Sequence, residues 1–112
     1  MVERDFSKIP NSILEALALV NFSPYETRVL AYFIRLTFGW RSSRAALCVS
    51  RVSKETGIER GAVYRALRSL AGRGVLNITR HASKGAFVAI ESNTGLWLDK
   101  VPAQKSFNFK IA

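Results

Sequence analysis

The stretch VSRVSKETGIERGAVYRALRSL, residues 49–70, sets the tightest limit on what this chain can become. A small residue, a glycine and a β-branched aliphatic stand at Ser53, Gly57 and Val63. Two helices that cross closely need a small side chain where they meet, and Ser53 supplies it. Four residues on, the turn needs a positive φ, which glycine adopts without the penalty that a Cβ imposes. Six residues later Val63 is suited to plug the space between the helices, and Ile58 is the turn's own apolar residue. The spacing predicts a helix-turn-helix: a short helix ending at Gly57, then a longer one ending at Gly72 or Gly74.

The flanks extend this unit. Asn11 or Ser12 is placed to cap a short helix through Ile13 to Val20. In NFSPYETRVLAYFIRLTFGW, Ser23 is a good N-cap, Pro24 suits the first helical position and Glu26 completes a capping box. Val29, Leu30, Phe33, Ile34 and Leu36 to Phe38 then give a broad apolar face. Gly39 is expected to end that helix in a left-handed conformation, and Trp40 to fold back as a core plug. The run ALCV, 46–49, reads as a small strand. VLNITR and AFVAIE read as two more, joined by the loop HASKG. After Glu91 the chain offers Leu96, Trp97, Leu98, Phe107 and Phe109: a strand and tail packed on the domain, a dimer contact, or a frayed end.

A chain of 112 residues, 48% apolar, suits one domain with a core that needs no disulfide or metal. The order of elements predicts an α+β winged helix-turn-helix: three to four helices plus a small antiparallel β-wing. Within it, 1–22 forms an N-terminal segment with a short helix, 23–91 the winged helix-turn-helix, and 92–112 a C-terminal tail. No apolar run is long enough to span a membrane, and the first residues lack the apolar region of a secretory signal. The single cysteine, Cys48, fits a reducing cytoplasm. His81 is the only histidine, and with no cysteine pair beside it no metal site is expected. No carboxylate pair, nucleophile elbow or phosphate-binding glycine loop is present, so neither an enzyme nor a cofactor is expected.

The net charge of +9 is concentrated in one segment. Residues 41–84 hold ten basic side chains against Glu55 and Glu59, a net of +8, while residues 1–40 are balanced. Such a field attracts a polyanion. With Val63, Ala66, Leu67 and Leu70 turned inward, helical spacing turns Arg60, Gly61, Tyr64, Arg65 and Arg68 outward. Gly61 and Ala62 let the backbone approach a groove closely. Arginine binds the guanine edge in bidentate fashion, worth roughly 1–3 kcal/mol of discrimination. Tyr64 is placed to contact a phosphate or to pack on a sugar. Expected phosphate contacts, which position without reading sequence, are Arg41, Arg44, Arg51, Lys54 and Arg73. The wing is expected to bring Arg80, His81 and Lys84 to an adjacent groove.

Three pieces of the chain resemble the N-terminal, origin-binding domain of lambdoid phage replication protein O, over about Phe6 to Ile90. FSKIPNSILEAL is similar to that family's opening, RVLAYFIRLTFGWRSS to its long helix, and SRVSKETGIERGAVYRALRSLAGRGVL to its helix-turn-helix. The resemblance implies a winged-helix domain that binds repeated sites at a replication origin, usually as a dimer, and helps to open it. The chain departs from the family pattern at Cys48, where a serine caps the first motif helix, and at Glu59, where a serine or threonine precedes the second. A carboxylate beside a phosphate is unfavourable. Family members continue into a second region that recruits a helicase loader. This sequence stops at Ala112, so it is read as an isolated domain or a short relative, and that contact is not expected from it.

The expected function is sequence-specific binding of double-stranded DNA at a phage or mobile-element origin, in the cytoplasm of a bacterial host, with a homodimer as the further partner and no membrane. The alternatives are a winged-helix transcription regulator and a phage winged-helix protein that binds a host protein complex.

Overall fold

Ser23 starts the longest helix as its sequence requires. In the computed structural model, which describes residues 7–98, helix α2 spans Pro24–Thr37. The Ser23 hydroxyl accepts from the Glu26 backbone N–H at 3.2 Å, and the Glu26 carboxylate accepts from the Ser23 N–H at 2.8 Å. Both arms of the capping box are closed. Before it lies α1, Asn11–Leu19, whose N-cap is Pro10 without a side-chain capping bond. The expected caps Asn11 and Ser12 lie inside the helix instead. The Pro10 carbonyl accepts from Ile13 and Leu14, and proline's fixed φ sets the helix entry without a polar cap.

The end of α2 also differs from expectation. A 3-10 turn, Phe38–Trp40, follows it, and the left-handed residue is Arg41, at φ 56°. Gly39 does not take the left-handed conformation; a Cβ there would stand 2.7 Å from Arg35 Nη1 and 2.9 Å from Ser7 Oγ, so these side chains would have to shift. Thr37 donates to the Phe33 carbonyl, and the Ser42 N–H closes back on the Thr37 carbonyl. The turn leaves Leu36 and Phe38 partly buried and carries Trp40 outward, 62% exposed, with the Arg35 guanidinium 5.3 Å from its ring centroid. Trp40 is therefore no core plug. The buried tryptophan is Trp97, which meets Phe22 edge-on at 6.2 Å and donates its indole N–H to the Glu91 carbonyl. The tail thus packs on its own domain as far as Leu98; Phe107 and Phe109 lie outside the described residues.

Strand β1 is Ala45–Leu47, followed by α3, Val49–Thr56, and α4, Arg60–Gly72. Gly57 caps α3 at φ 78°. Strands β2, Leu76–His81, and β3, Gly85–Ile90, form a hairpin with Gly85 at φ 84°. The sheet is antiparallel in the order β1-β3-β2. This is the winged helix: helices on one layer, a small sheet on the other. One core joins them, with Ile13, Val29, Leu30, Phe33, Val52, Ile58, Val63, Leu67, Leu70, Val75 and Val88 inside. The pairs Ala45↔Val88, Leu47↔Ala86, Ile78↔Val88 and Arg80↔Ala86 fix which residues share the inner face. Phe87, paired with Ala46 and Thr79, lies on the outer face.

Candidate nucleic-acid interface

Helix α4 is held as the motif spacing requires. Val63, Ala66, Leu67 and Leu70 are buried. Ser53 Oγ donates to the Ile58 carbonyl at 2.6 Å, and the Gly57 N–H bonds the Ser53 carbonyl at 2.9 Å. The turn is clasped from α2 as well: Arg28 donates to the Thr56 carbonyl, and Tyr32 donates to Glu55 Oε1 at 2.7 Å. Burial and the Glu55 carboxylate push the Tyr32 hydroxyl up to about 12. With the motif locked, Arg60, Tyr64, Arg65 and Arg68 stand on the exposed face of α4. Gly61 is half-buried, and a Cβ there would come within 3.4 Å of Arg65 Nη1. That is an ordinary van der Waals distance to the end of a flexible side chain, so space alone does not require glycine here. Ala62 is buried against the core, so it plays no part in the outward face.

Arg60 and Tyr64 line one side of an open groove of about 330 Å³. Leu47, Val49, Ser50, Arg80 and Ala86 line the rest. Arg80 enters it because β2 alternates: Leu76, Ile78 and Arg80 share the inner face, and Arg80 stands where that face leaves the core. The sequence pointed to Arg60, Tyr64 and Arg80 separately. It gave no sign of Leu47, Val49, Ser50 and Ala86 as their neighbours, since the strand register sets Leu47 beside Ala86 and the start of α3 brings Val49 and Ser50.

The same alternation parts His81 from Arg80. His81 meets Phe87 edge-on at 5.5 Å on the outer face, and Arg44 lies over the Phe87 ring at 4.0 Å. Arg44 Nη1 is 3.4 Å from His81 Nε2. Arg44 and His81 therefore form a stack of their own, on the sheet face turned from α4. Arg41, Arg51, Lys54 and Lys84 are exposed, on the loop after α2, on α3 and at the hairpin tip.

Arg73, expected on the DNA backbone, is inside the protein. It is 2% exposed and pairs with Glu26 at 2.8 Å. It also donates to the carbonyls of Leu98 and Asn21 and lies over Phe22 at 4.7 Å. A guanidinium buried among so many acceptors is structural. Burial would raise the Glu26 carboxyl, but hydrogen bonds from Ser69, the Ser23 N–H and Arg73, with the charge of Arg73, hold it below its ordinary value. This network was hidden because the sequence showed Glu26 only as a capping residue.

At the two departures from the family pattern, Cys48 caps α3 without a side-chain bond and Glu59 caps α4 likewise. The exposed Cys48 thiol contacts Ser50 Oγ at 3.3 Å; that bond and the Arg51 N–H draw its pKa down. Among the described residues no group of three or more His, Cys, Asp or Glu side chains is arranged to hold a metal, and no helix is long and apolar enough to cross a membrane.

A family model described as bacteriophage replication protein O matches residues 1–94 of the chain. No curated protein and no solved structure matches it.

Proposed function

The chain belongs to the bacteriophage replication protein O family, with a role in the initiation of phage replication, and we propose that it performs that role by sequence-specific binding of double-stranded origin DNA. One observation carries the reading. Of the ten basic side chains in residues 41–84, nine are exposed, and five of these sit on the helix-turn-helix itself: Arg51 and Lys54 on α3, Arg60, Arg65 and Arg68 on α4. Arg65 and Arg68 read base edges, while Arg60, Gly61 and Tyr64 lie beside them on α4. Arg41, Arg51, Lys54, Arg80 and Lys84 hold phosphates. Arg44 and His81, stacked on the outer face of the sheet, stand apart from this surface. The protein acts without a cofactor and without catalysis, inside the bacterial host, and repeated origin sites suit binding as a homodimer.

Binding to origin-derived and random duplexes at two salt concentrations tests the proposal. Affinity for both should fall steeply with salt, because each neutralised phosphate releases counterions, and the origin duplex should bind more tightly. Arg65→Ala should reduce discrimination between the duplexes, whereas Arg41→Ala should weaken both alike. Absence of binding to either duplex at low salt would sink the proposal. A footprint on the phage's origin repeats, as against a promoter, separates replication from transcription control by the same fold.

A further inference from the structure

We propose that the groove between α4 and the inner face of the sheet is a seat for one backbone phosphodiester of the bound duplex, held between Arg60 and Arg80. This rests on the duplex-binding reading above and sharpens it: Arg60, expected to read a base, holds the backbone instead.

The groove has a mixed lining that suits such a ligand. Arg60 and Tyr64 come from one helical row of α4, four residues apart, and Arg80 comes from β2 across the gap. Ser50 adds a hydroxyl from the first turn of α3. Leu47, Val49 and Ala86 make up the apolar part of the lining. Among the described residues the only ion pair is Arg73–Glu26, so neither Arg60 nor Arg80 has an acidic partner. Glu55 accepts from Tyr32, and Glu91 accepts from Asn77 and the Asn93 N–H. Glu59, exposed and directly before Arg60, makes no side-chain capping bond and is not one of the residues lining the groove.

Two guanidinium groups facing one recess repel each other, and an anion between them relieves that repulsion. A phosphodiester carries one charge on two free oxygens, which guanidinium forks match. Its attached sugar presents carbon and hydrogen, which suit Leu47, Val49 and Ala86. A base edge offers neutral acceptors and donors and has no comparable use for two cations. Base reading in a groove also needs side chains that project freely, as Arg65 and Arg68 do on the remainder of the α4 face. The proposed seat would therefore fix α4 and the sheet together on one strand. That sets the angle at which Arg65 and Arg68 meet the bases.

The test compares Arg60→Ala, Arg80→Ala, the double variant and Arg65→Ala, on origin-derived and random duplexes across a salt series. All three positions are exposed, and unchanged melting curves confirm the fold. Arg60→Ala and Arg80→Ala should each weaken both duplexes by the same factor, roughly tenfold, and each should lower the salt slope by about 1. Because both arginines hold one phosphate, the double variant should lose less than the product of the single losses. A duplex with a single neutral methylphosphonate at the contacted linkage should make Arg60→Ala silent. Loss of discrimination on Arg60→Ala, with Arg80→Ala uniform, overturns the seat, as do strictly multiplicative losses. In those cases the wild type still binds, so DNA binding itself stands. Failure of the wild type to bind either duplex removes both proposals together.

Discussion

Arg73 has the same charge as the arginines around it in the sequence, yet its surroundings reverse its role. It follows Val63, Ala66 and Leu70 at helical spacing, so it continues the buried stripe of α4 at the point where the helix ends. That signal was available from residue order alone. What the order did not reveal was the partner, Glu26, which lies 47 residues away and already serves as a capping residue. Removing one member of a buried pair leaves the other uncompensated, so Arg73→Ala should cost about 3–5 kcal/mol of stability, as read by denaturant unfolding. A loss confined to DNA affinity, with stability unchanged, would return Arg73 to the interface. The pH dependence has a definite sign. The folded carboxyl of Glu26 titrates below its ordinary value of 4.5. Its contribution is therefore complete above that value and is lost as pH falls through the lower, folded one. Glu26→Gln should flatten the stability profile in that acid window and leave the profile at neutral pH level.

At the scale of elements, the helix-turn-helix was readable because its requirements are local. Ser53, Gly57 and Val63 each answer one geometric demand, and each sits where its spacing required. Gly57 isolates the backbone part of that demand. Its φ is 78°, and nothing lies within 4 Å of where a Cβ would stand. Gly57→Ala should therefore lower stability by about 1–2 kcal/mol through conformation alone, and Gly57→Asn should lower it less. Thermal unfolding of the two variants decides this; equal losses would point to a clash or a lost contact. The end of α2 was less readable. Gly39 was expected to take the left-handed conformation, but that position falls on Arg41, while Gly39 lies close under the Arg35 and Ser7 side chains. Trp40 was expected inside and is exposed, while Trp97 is buried, with its indole N–H on the Glu91 carbonyl and its ring packed at a steep angle to Phe22. Glu91 is only six residues before Trp97, but Phe22 comes from the loop before α2, a contact that the sequence around Trp97 does not announce.

At the scale of the whole molecule, the charge segregation was evident in the sequence, but its division between surfaces was not. Residues 80 and 81 are adjacent and were assigned together to the wing. A strand turns successive side chains to opposite faces, so Arg80 joins the α4 groove and His81 joins Arg44 over Phe87. The net of +8 thus counts charges that serve different surfaces, and one, Arg73, that reaches no surface at all. This yields a prediction about salt. If about six of the exposed cations meet phosphates, affinity for any duplex should fall roughly a thousandfold between about 50 and 200 mM salt. The slope of that fall counts the phosphates engaged, so it can assign each cation to a surface. Arg51→Ala should lower the slope by about 1. Arg44→Ala should leave it unchanged, because the guanidinium it removes lies over the Phe87 ring, on the sheet face turned from α4. A lowered slope for Arg44→Ala would mean that the duplex reaches around the edge of the sheet, and that the two faces act as one surface.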